Sequence, residues 1–128
     1  MSEVTVLQTV RDAVATKLDE IEGLTIYKNQ PPSGGAVPCA TMLVLGGNMH
    51  GGYPDTLQFV DLLLQVDVWA FTPENRDIYA DKIIDKVYRS RPAGFVDIVL
   101  RGCRDMPGEE EVWRKVLEFR VTTTVTKT

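Results

Sequence analysis

The stretch Leu57 to Phe71, LQFVDLLLQVDVWAF, decides how the rest of the chain is read. Its 15 residues contain no Gly, Pro, Asn or Ser. Every second residue, Val60, Leu62, Leu64, Val66, Val68 and Ala70, is apolar. The alternate set, Phe59, Asp61, Leu63, Gln65, Asp67, Trp69 and Phe71, mixes acids, an amide and large apolar groups. Side chains of a strand point alternately to opposite faces. The stretch therefore reads as one long strand with a dry face and a mixed face. A helix fits less well, because Asp61, Gln65 and Asp67 do not gather on one side of a 3.6-residue period and valine suits strands. The dry face needs a cover, and helical patterns flank the stretch. The mixed face carries Leu63, Trp69 and Phe71, for which the chain offers no obvious cover.

Downstream, Thr72-Pro73-Glu74 opens a helix. Thr caps, Pro suits the first helical position and Glu complements the dipole. The helix runs to about Arg89, with Ala80, Ile83, Ile84 and Val87 as its apolar stripe. Asp77, Asp81, Lys82, Asp85 and Lys86 read as solvated. The acids at 77, 81 and 85 place like charges four residues apart, which does not favour the helix. Pro92-Ala93-Gly94 ends it. Phe95 to Arg104 alternates again, Val96, Ile98 and Leu100 against Asp97, Val99 and Arg101. Asp105 to Gly108 makes a turn, followed by the acids Glu109 to Glu111. Val112 to Thr126 is a second very long strand. Trp113, Leu117, Phe119, Val121 and Val125 share one of its faces; Arg114, Glu118, Arg120, Thr122 and Thr124 share the other. Residues 95–126 thus read as a hairpin.

Upstream, Ser2 is placed to cap a helix with a body from Glu3 to Glu22. Val4, Leu7, Val10, Val14, Leu18 and Ile21 recur on one side of it, and Gly23 supplies the stop. Leu24 to Lys28 is a short strand and residues 29–35 are a loop by composition. Cys39 to Leu45 is apolar almost throughout and reads as a central strand. Gly46 to Asp55 holds four glycines in ten residues and the only histidine, His50. Backbone this free reads as a mobile loop that a partner orders. It is no phosphate loop, since no Lys-Ser/Thr follows the glycines and no helix begins there. His50 has no second metal ligand near it.

The predicted fold is α+β, a two-layer sandwich over residues 1–128 as a single domain. Its order is α-β-β-β-α-β-β, with a mainly antiparallel sheet of four to five strands and two helices on one face. A composition of 44% hydrophobic and 25% charged residues is that of a soluble globular protein. The net charge of −4 argues against a general grip on DNA or on an anionic membrane. Cys39 and Cys103 lie far apart in no metal-like spacing and read as buried thiols of a reducing compartment. The N-terminus lacks a basic segment followed by an apolar run, so no signal peptide is expected. No apolar stretch approaches about 18 residues, so no membrane span is expected.

Catalytic patterns are missing: no Ser/His/Asp order, no HExxH, no paired Cys and His, no dinucleotide turn. Asp61 and Asp67 share a face but lie about 20 Å apart, too far for cooperating carboxylates. No enzyme and no cofactor are expected. Geometry points elsewhere. A compact domain of this length has a radius of gyration of roughly 14 Å, whereas a 15-residue strand spans about 50 Å. Two such strands must bend or project, and a projecting apolar hairpin needs another subunit to cover it.

Several segments together resemble the tail-terminator (tail-completion) proteins of long-tailed double-stranded DNA bacteriophages. They are VLQTVRDAVATKL (Val6 to Leu18), IYKNQPP (Ile26 to Pro32), LQVDVWAFTPE (Leu64 to Glu74) running into IYADKIIDKVY (Ile78 to Tyr88), and WRKVLEFRVTTTV (Trp113 to Val125). The likeness is one of pattern and covers nearly the whole chain. The loop Gly46 to Asp55 departs from it, being longer and richer in glycine. The resemblance implies a homo-hexameric ring in the virion, assembled in the host cytoplasm. Such a ring caps the head-proximal end of the tail tube, stops tube polymerisation and offers the head–tail joining surface. Its implied partners are other copies, the tail tube protein and the head–tail connector proteins. Genomic DNA passes through an acidic lumen without specific binding, and no membrane or cofactor is involved. The site residues expected on this reading are interface residues. They are Leu63, Gln65, Asp67 and Trp69 on the long strand, Asn48, Met49, His50 and Tyr53 on the loop, and Arg114, Glu118 and Arg120 on the last strand. Other readings of the same residues are a connector or stopper ring of the neck, a subunit of a non-viral contractile or secretion-like machine, and a small α+β ligand-binding or enzyme domain with the Gly46–Asp55 loop as a lid.

Overall fold

The computed structural model of the chain describes residues 3–28, 37–46, 49–51, 57–106 and 112–126, with backbone alone at a few positions among them. Two helices and six strands follow in the order α1 (Glu3–Leu18), β1 (Thr25–Tyr27), β2 (Cys39–Leu45), β3 (Met49–Gly51), β4 (Leu57–Ala70), α2 (Pro73–Ser90), β5 (Asp97–Met106) and β6 (Trp113–Thr126). The sheet runs β1-β2-β4-β6-β5, and the short β3 pairs with β4 beyond the end of β2. Both helices lie on one face. The α+β two-layer sandwich expected from the sequence is the observed fold.

The stretch read first is the middle of the sheet. β4 pairs antiparallel with β6 over all its residues, from Leu57 opposite Thr126 to Ala70 opposite Trp113, without a break in register. The dry face is as the alternation required: Val60, Leu62, Leu64, Val66, Val68 and Ala70 are all buried. Leu117, Phe119 and Val121 stand opposite Val66, Leu64 and Leu62 and complete that side. Val10, Val14 and Leu18 of α1 and Ala80, Ile83 and Val87 of α2 close over them. Burying side chains of this size stabilises the fold by roughly 1.5–3 kcal/mol each.

The helix signals read as mechanism. Thr72 caps α2, its hydroxyl accepting from the Asn75 N–H at 3.1 Å, and Pro73 takes the first helical position. α2 stops at Arg91, held in the left-handed region at φ 46°. α1 stops at Leu18 and not at Glu22. Residues 19–23 form turns instead, with Asp19 N–H donating to Ala15 O and Ile21 N–H to Leu18 O. Ile21 still packs on the core. Gly23, at φ +83°, makes the exit, and a Cβ there would lie 2.8 Å from the Tyr79 hydroxyl oxygen.

The sheet is mainly antiparallel, as expected, with β1 and β2 paired in parallel, Ile26 opposite Ala40. Other expectations are corrected. β2 is one strand in from the edge, and β4 is the centre. The segment expected to be a loop throughout, Gly46 to Asp55, contains β3, with His50 opposite Phe59. β5 begins at Asp97 and extends to Met106, past the expected turn at Asp105. The helix layer and the connection after it cover the long strands as far as Val60 and Thr123. The connection after α2 carries the cover to their far end, where Val96 N–H donates to Thr122 O at 2.8 Å and the Thr123 hydroxyl to Ala93 O at 2.7 Å. At the outer edge, β5 carries a register shift between Leu100 and Gly102. The Leu100 N–H there donates to the Tyr88 hydroxyl at 2.8 Å, and the Tyr88 ring meets Phe119 edge-on, centroids 6.3 Å apart.

Candidate functional site: the open face of the sheet

The opposite side of the sheet has no second layer among the described residues. Register fixes its composition, since residues paired across strands share a face. One row holds Cys39, Trp69, Arg114 and Met106; the next Tyr27, Thr41, Asp67, Val116 and Arg104. Beyond them lie Leu43, Gln65, Glu118 and Gly102, then Leu45, Leu63, Arg120 and Val99, then Asp61, Thr122 and Asp97.

These rows divide by chemistry. The first two are closed by contacts within the chain. Asp67 is 7% exposed. Its carboxylate accepts from Arg114 Nε at 3.0 Å and is also in contact with Arg114 Nη2. Gln65 Nε2 donates to its other oxygen at 3.0 Å. The Arg114 guanidinium carbon lies 4.8 Å from the Trp69 ring centroid, a stacking that half-buries the indole. Trp69 is therefore not the bare anchor its sequence position suggested, and Asp67 and Arg114 satisfy each other. Glu118 pairs with Arg104 at 3.1 Å, and Asp61 accepts from the Thr122 hydroxyl at 2.7 Å.

The row through Arg120 is open. Leu45 is 43% exposed, Val99 40% and, one row back, Leu43 47%; Leu63 is half-buried. Arg120 is exposed and has no ion pair or hydrogen bond to a described side chain. Leu63, Gln65, Asp67, Trp69, Arg114, Glu118 and Arg120 share this one face of β4 and β6. Asn48 and Tyr53 lie outside the described residues, and Met49 and His50 are placed by backbone alone. Phe71, the third large group on the mixed set, is 61% exposed just past the strand.

Sequence reasoning missed Leu43, Leu45 and Val99 as the most exposed apolar groups here. β2 gave no signal, because every position but Thr41 is apolar or sulfur-bearing and alternation cannot separate its faces. A second miss lies on the covered side. Arg76, 6% exposed, sits over the Trp113 ring at 5.8 Å and reaches Asp77 at 3.0 Å. Lys115 bonds Asp77 at 2.7 Å, so Asp77 is not the free surface acid expected. That bond first, and the Arg76 bond second, hold the Asp77 carboxyl below its usual range, and the same bond raises Lys115. A signal was present: Arg76 lies on the same stripe as Ala80, Ile83 and Val87.

The cysteines invert the general rule of the two faces. Cys39 is on the open side yet buried, and burial pushes its thiol up to about 11. Cys103 is on the helix side yet exposed, which corrects the expectation of two buried thiols. Among the described residues no three His, Cys, Asp or Glu side chains gather to hold a metal ion. No helix of those residues is long and apolar enough to cross a membrane. No family model matches the chain, and no curated protein matches it in sequence. Among the described residues, the surface offers an apolar strip beside the exposed guanidinium of Arg120.

Proposed function

We propose that this protein is a structural virion component of a long-tailed double-stranded DNA bacteriophage, a ring that caps the head-proximal end of the tail tube. It ends tube polymerisation there and presents the surface to which the head–tail connector proteins join. The observation that carries the assembly part of this reading is the uncovered strip of Leu43, Leu45, Leu63 and Val99 around Arg120. Apolar groups clustered on one face mark contact with another protein surface. The resemblance of the helix, strand and strand-to-helix segments to tail terminators supplies the setting, and the α+β order agrees with it. A net charge of −4 suits a lumen through which DNA slides without sticking.

Native mass spectrometry across a concentration series tests the assembly. The expected result is a six-fold multiple of the 14.3 kDa chain. Polymerisation of a tail tube protein in its presence tests the cap, and tubes should stop at defined lengths. A strict monomer whose melting temperature responds to a small ligand would replace this reading with a ligand-binding α+β domain.

A further inference from the structure

We propose that copies of this chain dock head to tail, the open sheet face of one against the outer face of α2 of the next. The inference rests on the ring reading above and assigns its contact.

The first surface is the Arg120 row. In register, Arg120 has Leu63 on one side and Val99 on the other, with Leu45 beyond Leu63. It is a cation in an apolar strip, with no acid of its own chain bound to it among the described residues. The complementary surface must offer an acid beside an apolar group. The outer face of α2 does so. Ile78 is 50% exposed, and Glu74 and Asp81 lie one turn before and one turn after it. The fold uses the neighbouring acids itself: Asp77 bonds Lys115 and Arg76, and Asp85 bonds Arg89 at 2.7 Å. Glu74 and Asp81 are left with no ion pair to a described residue. The run of acids on α2, unfavourable for the helix alone, thus leaves two carboxylates facing water around an apolar residue.

The spacings agree. Neighbouring strands stand about 4.8 Å apart, and helix residues three or four apart about 5–6 Å, so Ile78 can sit on Leu63 or Val99 while Asp81 reaches Arg120. The two surfaces lie on opposite sides of the sandwich, one on the sheet and one on the helix layer. Their contact is therefore heterologous, which closes into a ring or continues as a filament according to its rotation. Packing two open faces against each other would instead be an isologous contact that leaves the acids of α2 unused.

Charge reversal separates these arrangements. Arg120→Glu and Asp81→Arg are both exposed changes, and circular dichroism melts should match the parent. Native mass spectrometry should find assembly weakened about 10- to 100-fold in each alone. An equimolar mixture of the two variants should assemble again, because every alternating contact then joins an acid to an arginine. The double variant in one chain should do the same. If the parent assembles and either single variant assembles equally well, or the mixture stays apart, the docking is wrong while the ring stands. If the parent is monomeric at every concentration, the ring reading itself falls.

Discussion

On the helix side of the sheet, Leu64 and Phe119 face each other across β4 and β6 and are fully buried. One residue along the same strands, Leu63 and Arg120 face each other on the other side, the leucine half-buried and the arginine exposed. The ladder is continuous, so both rows belong to one unbroken antiparallel pairing. The difference comes wholly from what lies above each row. It teaches that the covered side holds the register, since a one-residue slip would bring Arg120 and Asp67 under the helices. The open side is then free to serve contacts, closing its charges pairwise around Asp67 and leaving an apolar strip beside Arg120.

The comparison can be broken most sharply at Phe119. Phe119→Ala removes a fully buried ring that also supports Tyr88, and should cost about 3–5 kcal/mol in chemical denaturation. A cost under about 1 kcal/mol would mean the helix layer does not hold the register. Next comes Asp67→Ala, which strands Arg114 beside Trp69. The expected loss is about 1–3 kcal/mol, with a change in tryptophan fluorescence as the stacking relaxes. An unaltered emission would show that Asp67 does not position the guanidinium.

A smaller effect belongs to the rim of the covered side. The depressed Asp77 carboxyl contributes stability at neutral pH that is lost as the pH falls through its lowered value. The raised Lys115 contributes stability that is lost as the pH rises through its raised one. Asp77 is half exposed, so the whole term is worth under about 1 kcal/mol. Asp77→Asn should flatten the acid limb of a stability-against-pH curve and leave the neutral plateau almost in place; an unchanged limb would remove the pair from the account. Smallest for folding is Leu45→Thr on the open strip. Its stability should stay within about 0.5 kcal/mol of the parent, while native mass spectrometry should find assembly weakened. A large loss of stability there would mean that the strip belongs to the core.

Period is what made the middle of the molecule legible. β4, β6 and the two helices each alternate or recur clearly, so their buried sides followed from residue type, as did the bounds of all but α1, which stops a turn early at Leu18. Other features were not legible, each for a physical reason. The faces of β2 were hidden because nearly all its residues are apolar. The parallel pairing of β1 with β2 depends on where a connection returns, which no local pattern encodes. The pairing of Asp67 with Arg114 joins residues 47 positions apart. It needs the β4–β6 register, and only folding supplies that. β3 escaped notice because glycines surround it, and Arg76 because a charge does not count toward an apolar stripe, although it lies on that of Ala80, Ile83 and Val87.

The hydroxyl of Tyr88, bound to the Leu100 N–H on the rim strand, bears on how such a chain avoids clumping. A bare ten-residue rim would invite an incoming strand to zip on, and growth by that route has no natural end. One phenol oxygen and one irregular step at Arg101 interrupt the row of donors that zipping needs. Copies of the molecule are thereby turned away from fibre formation and left to meet through side chains.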